Sequence, residues 1–324
     1  MHRSRPHRLL GATTLALALL ASGCAADEPS AAPSPAPTAT RTAEVGTEAP
    51  PVAEVADVGD RLGALEEQYG ARLGLVALET GTGRVVAHRA DERFAFASTV
   101  KALQVGALLR RADDADLTRV VRYTADDLVT YSPVTEQHVD TGLTVLELAD
   151  AAVRFSDNTA ANLLFAELGG PAGLAEELAL LGDTTTRPTR IEPDLNSAVP
   201  GDDRDTSTPQ ALADALAAYA LGEVLTPERR EILVDLLVRN TTGDALVRAG
   251  APAGWTVGDK TGSASYGTRN DIAVAWPPAG SGRSPVVLAV LTSSADGSDA
   301  DAPTHDALVA DATRIAFAAL EGAD

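Results

Sequence analysis

Two of the chain's short motifs are built around lysine, a residue the rest of the sequence avoids. Of 26 basic residues, 24 are Arg and only two are Lys, at positions 101 and 260. An ammonium can give up its proton at accessible cost and a guanidinium effectively cannot, so these two lysines are candidates for proton chemistry. Lys101 closes Ser98-Thr99-Val100-Lys101, which opens a helical run through Ala102 to Arg111. Ser98 and Lys101 then lie one turn apart on one face, and the hydroxyl can meet the amine. The helix start also brings free backbone N–H groups and the positive end of the dipole to the place where an oxyanion would develop. Alone, a serine there is an ordinary N-cap. Ser156-Asp157-Asn158 falls between helical runs Thr144 to Phe155 and Thr159 to Leu168, where Asp or Asn would ordinarily cap. Lys260-Thr261-Gly262 precedes a strand-like stretch, SASYGTRNDIAVAW, and taken alone is a turn with a surface lysine. The chemistry that could join these groups is nucleophilic attack by a serine whose proton is served by a neighbouring base.

The elements that must position them are legible from periodicity. Val58, Leu62, Leu65 and Tyr69 repeat at helical spacing and stop at Gly70. Two β-like runs follow, Leu73 to Glu79 and Arg84 to Arg89, joined by a turn with Gly81 and Gly83. Asp271 to Trp276 and Pro285 to Thr292 are strand-like, and Thr304 to Leu320 is an amphipathic helix. From Ser98 to about Leu237 the chain is Ala- and Leu-rich and helical. A hairpin alone is marginal, so pairing the N-terminal hairpin with the C-terminal strands in one antiparallel sheet is the simplest solution. The predicted fold class is α/β (α+β): residues 55–92 and 238–324 form the sheet domain, flanked by the N- and C-terminal helices. Residues 93–237 form an inserted all-helical domain, with the site in the cleft between them.

Composition bounds the rest. A basic start, Met1 to Arg8, the apolar stretch Leu9 to Ala21 and then Ser22-Gly23-Cys24 make residues 1–23 a signal peptide. The segment resembles a bacterial lipobox, with Ala21 where Leu is commoner, and Cys24 is the residue that would be lipidated. Residues 24–54 are a Pro-, Ala- and Thr-rich stalk that cannot bury a core. Cys24 is the sole cysteine, so no disulfide can form within the chain. The expected location is the outer face of the cell membrane, held through the lipid or released, as a monomer. Net charge is −20, and losing Arg3, Arg5 and Arg8 makes it more negative still, which argues against nucleic acid or anionic lipid as partners. Five scattered histidines have no ligand-like spacing, so no metal or other cofactor is expected.

S-x-x-K, S-D-N and K-T-G in this order, with the only two lysines in the first and third, resemble the motif set of the serine penicillin-recognising enzymes. Thr189-Arg190-Ile191-Glu192-Pro193-Asp194-Leu195-Asn196 is similar to the omega loop of class A β-lactamases, here residues 187–205. Tyr131-Ser132-Pro133-Val134, Asn240-Thr241-Thr242-Gly243 and Ala253-Gly254-Trp255-Thr256-Val257-Gly258-Asp259 also resemble family segments, so the likeness spans about residues 57 to 322. It implies a β-lactamase/transpeptidase-like fold and hydrolysis of penicillins and cephalosporins, with resistance as the consequence.

By the same resemblance Ser98 attacks the lactam carbonyl while Lys101 and Glu192 serve its proton, either being a possible acylation base. The N–H groups of Ser98 and Ser263 form the oxyanion hole, and Ser156 relays a proton to the leaving nitrogen beside Lys260. Asn158 holds the substrate amide, Asn196 helps Glu192 hold the deacylating water, and Arg190 pairs with Asp205 to clamp the loop. Thr261, Gly262 and Arg269 bind substrate, the arginine through its carboxylate, and Tyr131 walls the cleft. Ala97 and Ala264 stand where some carbapenem-hydrolysing relatives place a disulfide, which makes that activity less expected. A D-alanyl-D-alanine carboxypeptidase or a penicillin-binding sensor would share the three motifs but lack the Glu192 to Asn196 arrangement.

Overall fold

The computed structural model describes residues 56–322, so the signal peptide, Cys24 and the stalk lie outside the described residues. Helix α1 (Ala56–Tyr69) buries Val58, Leu62 and Leu65, and ends at Gly70, whose φ of +58° suits a residue without a side chain. Strands β1 (Ala71–Glu79) and β2 (Arg84–His88) form the expected hairpin. The short strand β3 (Phe94–Ala95) leads into helix α2 (Val100–Arg111), followed by α3 (Asp114–Thr118), β4 (Val120–Val121) and β5 (Leu143–Thr144). Helices α4 (Val145–Arg154), α5 (Asn158–Leu168) and α6 (Pro171–Ala179) come next, then β6 (Thr206–Ser207), α7 (Pro209–Ala220), α8 (Pro227–Val238) and α9 (Val247–Gly250). The chain closes with β7 (Thr256–Ala264), β8 (Thr268–Trp276), β9 (Val286–Ser294) and α10 (Asp306–Glu321).

The main sheet is antiparallel throughout, in the order β2-β1-β9-β8-β7, so the first and last parts of the chain meet at its centre. Leu75 faces Val290 across β1 and β9, and Asp271 faces Val290 across β8 and β9. Both faces are covered. Leu73, Leu75, Ala273, Leu288 and Val290 pack against Leu62 of α1 and Phe317 of α10. Val76, Ile272, Ala289 and Leu291 pack against the helical region. This explains why β9 reads as an unbroken apolar run rather than an alternating one. Tyr69 ties α1 to α10 by donating to Asp311 at 2.9 Å.

The sequence reading needs two corrections here. Residues 93–237, expected to be all-helical, also carry two short antiparallel pairs, β3 with β6 and β4 with β5, made by residues too few to show a strand period. Lys260-Thr261-Gly262 does not precede a strand; it lies inside β7, and the stretch taken as one strand is the end of β7, a turn and β8. Gly258, Asp259 and Gly262 make β7 a poor strand by propensity, but pairing with β8 from Thr256↔Trp276 to Ala264↔Thr268 holds it extended. The motif therefore occupies the sheet edge that faces the helices.

Helix α2 is buried on every side from Val100 to Leu109, which makes it the axis of the helical region. Small residues allow this. A Cβ on Gly106 would sit 2.6 Å from the Tyr219 ring of α7, so the two helices could not pack at this distance with a larger residue. Ser98, just before α2, thus stands at the head of a closely packed helix.

Candidate active site

Ser98 sits in a 3-10 turn, Ala97–Thr99, that runs directly into α2. Ala97 has φ +49°, unusual for a residue with a side chain, and the surrounding bonds hold it there. Phe96 N–H donates to Asp205 O at 3.1 Å, and Thr99 Oγ1 donates to Phe96 O at 2.6 Å. At the start of a helical turn the Ser98 N–H has no partner within the helix. The Ser98 hydroxyl donates to Glu192 Oε1 at 3.2 Å.

Lys101 is fully buried and sits among acceptors: Glu192 Oε1 at 3.0 Å, Asn158 Oδ1 at 2.6 Å and Ser156 O at 2.8 Å. The link between α4 and α5 is held in turn by Asp157. Its carboxylate caps α5 through Ala160 N–H at 2.8 Å and accepts from Val134 and Thr135 N–H at 3.0 and 2.9 Å. Asn158 N–H donates to Tyr131 O at 2.9 Å and its side chain donates to Thr130 O at 2.8 Å. The stretch bearing Tyr131, itself at φ +66° and more than half exposed, is therefore pinned to the S-D-N motif.

On the facing wall Lys260 Nζ donates to Ser156 Oγ at 3.0 Å and to Thr261 O at 2.8 Å, so Ser156 stands between the two lysines. Thr261 Oγ1 meets Thr242 Oγ1 at 2.7 Å. Ser263 pairs with Arg269, whose N–H donates to Thr292 Oγ1 at 3.0 Å and whose carbonyl accepts from it at 2.7 Å. Both backbone groups of Arg269 thus face β9, so the opposed Ser263 directs its N–H off the sheet edge. Gly262 lets β7 approach the nucleophile: a Cβ there would lie 3.0 Å from Phe96 O and 3.1 Å from Ala97 Cβ.

The loop 187–205 supplies Glu192. Arg190 Nε meets the buried Asp205 carboxylate at 2.5 Å, and Asn196 Nδ2 donates to Glu192 Oε2 at 2.5 Å. Asn162, which the sequence reading passed over, brackets the glutamate's backbone. Its Nδ2 donates to Glu192 O at 2.9 Å and its Oδ1 accepts from Glu192 N–H at 2.8 Å. The signal was present, since Asn162 follows Asn158 by one helical turn and so shares its face. Asp259 was likewise missed: it lies buried beside Lys260, bound by Arg248 Nε and Asn240 Nδ2, each at 2.6 Å.

Burial, opposed by the charges of Glu192 and Asp157, lowers the Lys101 pKa. Lys260 is lowered to about 7, first by burial and then by repulsion from Lys101, against the pull of Asp259, Asp271 and Glu192. Burial raises the Asp259 carboxyl against the pull of Arg248, and raises that of Asp271 further still, helped by repulsion from Asp259. Two buried lysines whose pKa values burial lowers, one serine between them and a carboxylate on Ser98 constitute a proton circuit.

Ser98, Tyr131, Ser156, Asn158, Asn196, Thr242, Thr261, Gly262, Ser263 and Arg269 line one cavity of about 350 Å³. Arg269 reaches it with its guanidinium held by Asp306 at 2.6 Å. Lys101 and Lys260 are not in this lining but touch Ser156, which is, Glu192 touches Ser98, and Arg190 and Asp205 lie in the loop that carries Glu192; Cys24 lies outside the described residues.

Residues 57–320 match the model of the β-lactamase enzyme family. The chain is 55% identical to a β-lactamase of Bacillus licheniformis over 82% of its own length and 85% of that protein's. It is 57% identical to a β-lactamase of Amycolatopsis lactamdurans, over 79% and 83%. Among solved structures it is similar to a class A β-lactamase from Clostridium kluyveri, with a TM-score of 0.79 at 44% identity, covering 82% of this chain and 99% of that one. A halotolerant bacterial β-lactamase gives a TM-score of 0.78 at 49% identity, over 81% and 99%. With both lysines and the loop carboxylate in contact with residues that line this cavity, the chain belongs to the β-lactamase enzyme family, as a class A member.

Proposed function

We propose that this protein opens the β-lactam ring of penicillins and cephalosporins through an acyl-enzyme on Ser98 and releases the product with water activated by Glu192. The enzyme hydrolyses β-lactams and thereby confers resistance to them. The observation that carries the reading is the three-way contact of Glu192 with Ser98, Lys101 and Asn196 in a buried setting.

In acylation Ser98 Oγ bonds to the lactam carbonyl carbon and gives its proton to Glu192, the acceptor it already touches. The developing oxyanion is received by the N–H groups of Ser98 and Ser263. As the C–N bond breaks, the nitrogen takes a proton from Ser156, which is replenished from Lys101, 3.5 Å away, and Lys101 recovers one from Glu192. The circuit closes with one proton moved from Ser98 to nitrogen. Lys260, Thr261 and Arg269 receive the substrate carboxylate. In deacylation Glu192 takes a proton from a water that bonds to the acyl carbon, and Ser98 leaves with a proton. Asn196 Oδ1, buried and without a hydrogen-bond partner among the described residues, is suited to accept from that water.

Multiple turnovers of a chromogenic cephalosporin by the purified protein are expected. A single stoichiometric burst would instead mark a carboxypeptidase or a sensor that stays acylated. The reading extends to a lipoprotein anchored through Cys24, supported by the basic, apolar and small-residue succession before it. Cys24→Ala is expected to move the protein from the membrane fraction to the medium, and unchanged fractionation would count against the anchor.

A further inference from the structure

Asn270 lies on β8 opposite Gly262 and is fully buried, yet its side chain is not part of any proton path described above. Beyond the Asp271↔Val290 pair the backbone ladder between β8 and β9 gives way to side-chain bonds. Asn270 Oδ1 takes Thr292 N–H at 3.0 Å, where a strand carbonyl would otherwise serve. The other end of the same carboxamide crosses to the nucleophile's segment. Nδ2 donates to Ala95 O at 2.7 Å and to Phe96 O at 3.3 Å, three and two residues before Ser98. All polar atoms of the group are thus engaged, and they bridge the sheet to the turn whose strained residue is Ala97.

The geometry has a consequence for the two N–H groups assigned to the oxyanion. One belongs to Ser98 on the helical side and the other to Ser263 on β7, so their spacing depends on how the helix-side turn seats on the sheet. Gly262 sets the closest approach, because its missing Cβ admits Phe96 O and Ala97. Asn270 supplies the pull across the same gap. We propose that Asn270 is a positioning residue that fixes the Ser98 N–H relative to the Ser263 N–H, a role that rests on the oxyanion-hole reading given above. Preorganised donors stabilise a transition state only if they are held where the charge develops, and a misplacement of about 1 Å costs about 100-fold in rate.

The test compares wild type with Asn270→Ala and Asn270→Ser. It uses kcat per Ser98 titrated by a slow β-lactam, KM, and the inhibition constant of an arylboronic acid, whose adduct places an oxygen in the hole. Asn270→Ala is expected to lose about 10- to 100-fold in kcat per titrated site, with KM changed less than about threefold and boronate affinity falling in parallel with kcat. Asn270→Ser keeps one shorter donor and is expected to fall between. A purely structural role would lower the number of titratable sites and leave the per-site values intact, and that result overturns the proposal. If Asn270→Ala does not fold, wild-type per-site kcat and boronate affinity in Asn270→Ser overturn it equally. Failure of the wild type to turn over or to bind the boronate would strike the underlying reading instead.

Discussion

The two lysines are alike in burial and opposite in company. Lys101, on the helical side, touches a carboxylate, an amide oxygen and a carbonyl, so its charge is balanced within 3.0 Å. Lys260, on the sheet edge, is held by a hydroxyl and a carbonyl, while Asp259 and Asp271 act on it only through their fields. Burial depresses both. The difference assigns labour. A lysine paired with the base that contacts the nucleophile can pass protons without changing the local net charge. A lysine without a contacting anion leaves room for one, and a substrate carboxylate is an anion of the right kind.

The two walls of the site differ most at Glu192, which touches Lys101 and not Lys260. Glu192→Gln removes the partner of Lys101 and the acceptor of Ser98 together, and turnover is expected to fall about 1000-fold or more. Intact mass should then show a covalent adduct on Ser98 that persists, and rapid release of that adduct would contradict the assigned role.

A smaller effect is expected on the other wall. Lys260→Ala should lose about 100-fold in kcat/KM for carboxylate-bearing substrates, the scale for truncating one partner of a buried charge pair. Since free Lys260 has a pKa of about 7, it loses its charge as pH rises above neutrality, so wild-type KM should climb between pH 7 and 9. Arginine stays charged throughout, and Lys260→Arg should therefore flatten that climb. An equally steep KM profile in Lys260→Arg would place the titration elsewhere.

The smallest effect is on stability. The Lys260 pKa is about 7 in the folded protein against an ordinary 10.5, so between these values the unfolded chain binds the extra proton. This group's cost to folding is therefore full below pH 7 and gone above 10.5. Lys260→Met is expected to raise Tm most at pH 6, by about 2 °C for each kcal/mol recovered, with the gain fading toward pH 10. Calorimetry across that range checks it, and a gain independent of pH would mean that packing rather than charge is responsible.

Much of this contrast was legible in the chain before its fold. Lysine scarcity singled out residues 101 and 260, and three motifs in order pointed to one kind of serine chemistry. Local periodicity located α1, the β1–β2 hairpin, α2 and α10 to within a few residues at their ends. What escaped was β7. Its glycines, aspartate and lysine signal a turn, and only the long-range pairing with β8 makes it a strand. Asn162, Asp259 and Asn270 escaped for a related reason: each bonds to residues at least 11 positions distant, and single amides and carboxylates carry no local signature.

The sequence by itself determined which groups are available, because residue type sets what can donate, accept, attack or change charge at neutral pH. It also determined local geometry wherever neighbours within one turn suffice, as for Ser98 and Lys101. The tertiary structure decided which lysine meets the carboxylate and which is held only by a hydroxyl and a carbonyl. That choice depends on burial and on contacts between strand, helix and loop, and these exist only once the ends of the chain have closed into one sheet around α2.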